Sequence, residues 1–167
     1  MVKTAPISSA EIWAILETVT DPEVPVLTIT DLGIVRDVKI NDDLIEVVIT
    51  PTYTGCPAMD MIAMNIKLAL IEHGYPTIKI TSVLSPAWTT DWMSEAGKAK
   101  LKAYGIAPPN PKQQACRDEL FAADEAVQCP HCNSHHTHRI SEFGSTACKS
   151  LYQCDDCKEP FDYFKCH

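Results

Sequence analysis

Residues 44–74 read LIEVVITPTYTGCPAMDMIAMNIKLALIEHG, and the pattern changes character partway through. Leu44 to Ile49 is dominated by β-branched side chains, the composition of a buried strand. Beyond the TYTGCP loop the apolar residues continue over four helical turns and stop at Gly74, a residue suited to left-handed backbone after a helix. A strand that passes through a short loop into an apolar helix calls for two layers, with helices covering a sheet.

The flanking segments complete that architecture. IVRDVKI (34–40) is a second β-branched run, separated from the first by Asn41, Asp42 and Asp43, which together signal an antiparallel hairpin. SSAEIWAILETV (8–19) opens with Ser8 three residues before Glu11, a capping-box spacing, and places Ile12, Ile15, Leu16 and Val19 on one helical face. TDPEVPVLTITDLG (20–33) holds two prolines that forbid regular helix, yet Val24, Val26, Leu27 and Ile29 make it too apolar for a free linker, so it reads as an ordered loop. TIKITSVL (77–84) reads as a third strand, and SEAGKAKLKAYG (94–105) as an exposed helix capped by Ser94 and stopped at Gly105. The expected fold is an α/β (α+β) two-layer domain with element order α-β-β-α-β-α over residues 1–107.

IAPPNPKQQACRDELFAADEAVQ (106–128) is rich in proline and poor in periodicity, so 108–125 is expected to be a linker, with a helical turn at DELFAADEA and no role for Cys116. Seven of the eight cysteines lie between Cys116 and Cys166. Residues 126–167 therefore form a second module, too short to fold on apolar burial alone.

The formal charge is −8, and no segment is basic: 8 basic residues face 13 acidic ones up to position 107, 2 face 4 in the linker, and 4 face 5 thereafter. Nucleic-acid binding needs the opposite balance. No apolar run is long enough to cross a bilayer, and MVKTAPISSAEIW lacks the basic start and apolar stretch of a signal peptide. The expected location is the cytoplasm, without nucleic acid or membrane as partner. Its reducing conditions make clustered cysteines a metal signal before a disulfide signal.

Cys129-Pro130-His131-Cys132 and Cys154-Asp155-Asp156-Cys157 are two CxxC pairs with 21 residues between them. Two such turns facing each other make a tetrahedral thiolate site, and structural zinc binding supplies on the order of 10 kcal/mol, enough to order a segment of this size. HTHRISEFG (136–144) and ACKSLYQC (147–154) are strand-like pieces of an all-β zinc ribbon, with Phe161, Tyr163 and Phe164 packing over the site. One structural zinc is the expected cofactor; spacing alone also admits iron or an iron-sulfur cluster. His131, His135, His136, His138 and His167 are surplus to a closed four-cysteine site and are expected at the surface. Cys148 and Cys166 either pack inside the ribbon or form a second soft-metal or redox site.

Cys56 precedes Pro57, a residue suited to the first position of a helix. At or next to the N-cap, free amides and the helix dipole favour a thiolate. Thr50, Thr52 and Thr54 add hydroxyls nearby, and Gly55 permits close approach. A thiol folded inward against Met59 and the sheet satisfies the same sequence. Asp21, Glu23 and Asp31 could stand beside Cys56 as carboxylates, although Asp in such turns more often bonds to backbone. Trp88 and Trp92 are spaced to share a face, either anchoring a partner or closing the core; Met59, Met61 and Met64 are expected to pack in the core.

A resemblance narrows these readings. DPEVPVLTITDLGIV (21–35), a hairpin, a threonine six residues before a Cys-Pro pair, and the SPAW stretch resemble the SufT-like family of iron-sulfur assembly domains over residues 11–107. PTYTGCPA, LSPAWTTDWMS, YGIAPP, FGSTACK and EPFDYFKC extend the likeness, and nearly the whole chain resembles the PaaD family, which accompanies the ring-oxygenating phenylacetyl-CoA epoxidase of bacterial phenylacetate degradation. The resemblance implies an accessory protein, not itself catalytic, that assists iron-sulfur cluster assembly or maintenance on the epoxidase reductase. It implies iron or cluster contact at Cys56, with Asp31 and Thr54 as supporting groups and a transient iron or iron-sulfur cargo. Implied partners are the reductase and oxygenase subunits and the iron-sulfur assembly machinery; the alternative is a stoichiometric subunit with no role in assembly. The chain has no Glu-x-x-His pairs, no GxGxxG loop and no plant-type ferredoxin cysteine spacing, so it supplies neither the di-iron nor the flavin or ferredoxin part of such a system.

Overall fold

The computed structural model describes residues 7–110 and 127–165. The chain divides into two compact units, one ending at Trp88 and taking in 92–94, the other comprising 89–91 and the chain from Glu95 onward.

In the first unit α1 (Ser9–Leu16) follows Ser8, whose backbone is extended but whose side chain makes no capping bond. Ile12, Ile15 and Leu16 turn inward. The ordered loop that follows is tied by its own side chains. Asp21 Oδ1 accepts the amides of Glu23 (2.8 Å) and Val24 (2.7 Å), while Val24, Leu27, Ile29, Leu32 and Ile34 are buried. β1 (Val35–Asn41) and β2 (Leu44–Ile49) form the antiparallel hairpin with Asn41 opposite Leu44, and Asp42 at φ 53 makes the reversal. α2 (Ala58–Glu72) crosses over to β3 (Ile78–Ser82), which pairs parallel with β2, so the sheet order is β1-β2-β3. The most apolar strand is the central one, which is paired on both sides and has no free edge, while α1 lies against β1 and α2 against β3.

One expectation about α2 is corrected. Ala58, Ile62, Ile66 and Leu70 are buried in one row, but Met61 and Met64 are exposed and Met59 is only partly buried. A helix lying on one side of a three-stranded sheet has one inward face, so an apolar sequence all round it leaves apolar residues outside. The tryptophans part company: Trp88 is buried and its indole N–H donates to the Leu32 carbonyl (2.8 Å), whereas Trp92 lies in a single 3-10 turn (Thr90–Trp92) under the Arg36 guanidinium, 3.5 Å from the ring centre. Gly33 has φ +68, and a β-carbon there would come within 2.8 Å of Trp92 Cβ.

In the second unit α3 (Glu95–Tyr104) buries Gly97 and Leu101. β4 (Ile106–Ala107) runs parallel to β7 (Pro160–Phe164), and β6 (Lys149–Cys154) joins β7 to β5 (Thr137–Ser141) in a four-stranded sheet of order β4-β7-β6-β5. Helix α3 and β4, read from sequence as the end of the first domain, thus belong by packing to the ribbon sheet. The core of this unit gathers Ala107, Val127, Tyr152, Phe161 and Tyr163 with Cys129 and Cys154. Tyr152 stacks on Phe161 at 6.0 Å and meets Tyr163 edge-on at 5.6 Å. The helical turn expected at 118–126, Cys116, Cys166 and His167 fall outside the described residues. Among the described residues no helix is long and apolar enough to cross a membrane.

Candidate metal centre and cysteine loop

The two CxxC turns are built alike. Cys129 N–H donates to the Ser134 carbonyl (2.8 Å) and its own carbonyl accepts from Asn133 (2.9 Å); Cys154 N–H donates to the Glu159 carbonyl (3.1 Å) and its carbonyl accepts from Lys158 (3.0 Å). Each loop reverses through one left-handed residue, Asn133 at φ 63 and Lys158 at φ 65. This geometry turns both thiols of a pair to the same side.

The four Sγ atoms of Cys129, Cys132, Cys154 and Cys157 all lie within 4.8 Å of one another. Two of the separations are 3.8 Å (Cys129 to Cys157) and 3.5 Å (Cys132 to Cys154). A tetrahedral ion with metal–sulfur bonds of about 2.3 Å sets its sulfurs about 3.8 Å apart, so this donor set fits a thiophilic tetrahedral metal. Cys129 and Cys154 are buried, Cys157 is half-buried and Cys132 is exposed, a gradient from aromatic core to surface.

Protonation of the cluster is uneven. The amides of Cys157 and then Asp156 point at Cys154, and with the neighbouring thiols they bring it down to about 7 against the cost of burial. The Glu159 amide lowers Cys157, but burial and the crowding of Cys132, Cys154 and Cys129 outweigh it and push that thiol up to about 12. At Cys132 the Ser134 amide is likewise outweighed, and the thiol is raised. Four sulfurs this close cannot all carry negative charge without a cation among them.

The histidines lie outside the thiol cluster, and the described ones are exposed. His136 Nδ1 pairs with Asp156 (3.2 Å) and His138 Nδ1 with Asp155 (3.0 Å), while the Ser134 hydroxyl also bonds Asp156. These bonds tie β5, through His138, and the segment leading into it to the second knuckle. Cys148 is buried just before β6, its sulfur 3.0 Å from the Thr146 hydroxyl.

Cys56 stands in the other unit. Its amide donates to the Tyr53 carbonyl (3.2 Å), closing a turn in which Gly55 has φ +81 with open space where a β-carbon would be. Pro57 is the N-cap of α2, and the Met59 amide reaches back to the Cys56 carbonyl at 3.3 Å. The thiol side chain is half-buried, Thr54 is exposed, and Thr50, at the end of the central strand, is buried with no hydrogen-bond partner for its hydroxyl among the described residues. Both oxygens of Asp31 are engaged: Oδ2 accepts the Thr28 amide (3.1 Å) and Oδ1 accepts the Ser94 hydroxyl (2.9 Å). Asp21 caps its own turn. The sequence marks the Thr50 hydroxyl only as one of three; that it is the orphaned one follows from its strand-end position.

Comparison with known proteins agrees with this division. Residues 9–84 match the family model described as iron-sulfur cluster assembly protein, and residues 113–165 match the PaaD zinc beta ribbon domain. The chain is 49% identical, over 97% of its length and 95% of the relative's, to a putative subunit of the 1,2-phenylacetyl-CoA epoxidase of Escherichia coli. It is 34% identical to an Fe-S protein maturation auxiliary factor of Porphyromonas gingivalis, over 54% of this chain and 88% of that one. The crystal structure of a DUF59 domain of unknown function from Bacillus anthracis superposes with a TM-score of 0.52 at 30% identity, covering 55% of this chain and 89% of that chain. With an assembly-type α/β unit followed by a four-cysteine ribbon, and near-complete coverage of the Escherichia coli epoxidase relative, the chain belongs to the PaaD family.

Proposed function

We propose that this protein is an accessory factor of a phenylacetyl-CoA epoxidase system, working in the cytoplasm to help install or maintain the iron-sulfur cluster of the reductase. The observation that carries the reading is the placement of Cys56. It is the single cysteine in residues 1–107 and sits on an open turn at the start of α2, in the unit that matches the iron-sulfur assembly family. Cys56 contacts iron or a cluster in transit, with Thr54 and Asp31 at its rim. Cys129, Cys132, Cys154 and Cys157 hold one zinc, which when bound closes the ribbon as a structural cross-link and presents a rigid docking surface. Cys148 packs in the ribbon, and with Cys166 is the remaining candidate for a second soft-metal site.

The test is reductase purified from cells in which this chain carries Cys56→Ser. The variant is expected to keep its circular dichroism while the reductase loses its two-iron cluster absorption; normal cluster content would overturn Cys56 as carrier. A second reading, a stoichiometric subunit of the oxygenase, is favoured by the name of the Escherichia coli relative, which makes that protein a component of the epoxidase. Its mark is co-purification at fixed ratio with active epoxidase, and full activity of purified components without this chain would sink it.

A further inference from the structure

Helix α2 carries an apolar stripe that its own fold does not use. Met61, Met64, Leu68 and Ile71 are 53%, 56%, 50% and 52% exposed. At about 100° per residue the stripe is centred roughly 160° from the buried row of Ala58, Ile62, Ile66 and Leu70, so it faces directly away from the core. Its steps are three, four and three residues, the a/d spacing of a helix-pairing seam rather than scattered surface apolarity.

We propose that this stripe is the interface of a two-fold homodimer, in which α2 lies parallel to α2 of a second copy. With 61 and 68 as a positions and 64 and 71 as d positions, the seam is flanked by Asp60 and Lys67 at g and by Asn65 and Glu72 at e. In parallel pairing each Lys67 faces the partner subunit's Glu72, giving two opposite-charge pairs, and each Asp60 faces the partner subunit's Asn65. Antiparallel pairing in the register that stacks the whole stripe brings the two Lys67 side chains together near the axis. Charge therefore selects the occupant and its direction: the complement of this stripe is the same stripe, aligned. Four half-exposed side chains per copy make a small contact, so the dimer is a weak, concentration-dependent one. Both Cys56 loops emerge at the same end of the pair, because each immediately precedes α2. The pairing stands whether or not Cys56 carries iron.

Sedimentation of the full metal-loaded chain over a wide concentration range tests this. The mass is expected to rise from one chain toward two. Met64→Glu and Leu68→Glu, at exposed positions that leave the fold intact, are each expected to abolish the rise with unchanged circular dichroism. Lys67→Glu is expected to weaken association about tenfold by turning two attractive pairs repulsive, and Lys67→Glu with Glu72→Lys to restore it. A chain that stays monomeric throughout, or a dimer indifferent to Met64→Glu, would overturn the interface; failure of the double reversal to rescue would overturn the parallel arrangement.

Discussion

Asn133 and Lys158 are conformational counterparts: each is the fourth residue after the first cysteine of its pair, each is left-handed, at φ 63 and 65, and each donates its amide to that cysteine's carbonyl. Asn tolerates this backbone, whereas Lys pays a steric cost of about 1 kcal/mol for its β-carbon. Lys158→Gly is therefore expected to tighten metal binding several-fold, and Lys158→Val, with a β-branched side chain, to weaken it about tenfold. Competition against a chromophoric chelator measures both, and equal affinities for the two variants would show that the knuckle does not depend on that conformation.

Metal removal should separate the two units. The three tryptophans, Trp13, Trp88 and Trp92, all lie in the first unit, while the Tyr152–Phe161–Tyr163 cluster belongs to the second. A chelator is expected to remove the near-ultraviolet contribution of the Tyr152–Tyr163 cluster and leave tryptophan emission and its thermal transition in place. Lowering the pH should do the same, since thiolates must be protonated as metal leaves and affinity falls with falling pH. A simultaneous loss of both signals would mean the α/β unit needs the metal too.

The α/β order is legible because each element carries its own signal: β-branched runs for β1 to β3, turn residues at 41–43, Gly74 after α2. The CxxC pairs are legible because metal spacing survives without knowing the fold. What the sequence hides is what tertiary pairing decides. β7 begins at a proline, which is tolerable there because it is the first residue of the strand but argues against a strand in the sequence, and β4, two residues long, is too short to show a period. Met61 and Met64 read as core residues because a helix apolar on both faces gives no clue to which face the sheet takes. The bond from Asp31 to the Thr28 amide is local, but its second bond is to Ser94, 63 positions away, which tertiary structure alone brings beside it.

Glu46 links β2 to β3 by pairing with Lys79 at 2.8 Å and accepting the Thr81 hydroxyl at 2.6 Å. Lys79 first, and Thr81 next, hold its carboxyl below the ordinary 4.5. A depressed folded-state value means stability that is present above the unfolded value and is lost as pH falls through the folded one. Glu46→Gln is expected to lower Tm modestly at neutral pH, with the gap to the unsubstituted chain closing below 4.5. A gap that persists in acid would assign the loss to packing instead of charge.

Thr50 ends the central strand with its amide bonded to the Ile34 carbonyl at 2.9 Å, and its buried hydroxyl has no partner among the described residues. An unpaired buried hydroxyl costs about 1–3 kcal/mol. Valine has nearly the same shape without that cost, so Thr50→Val is expected to raise the stability of the α/β unit by about 1 kcal/mol, read by urea unfolding through tryptophan emission. If folding were all this position served, the stabler residue would do better there. Thr50 lies six residues before Cys56, immediately ahead of the loop that carries the cysteine. We therefore expect Thr50→Val to lower iron retention by the anaerobically loaded protein while Thr50→Ser preserves it. Equal retention by all three chains would make the hydroxyl a structural defect with no bearing on the cysteine.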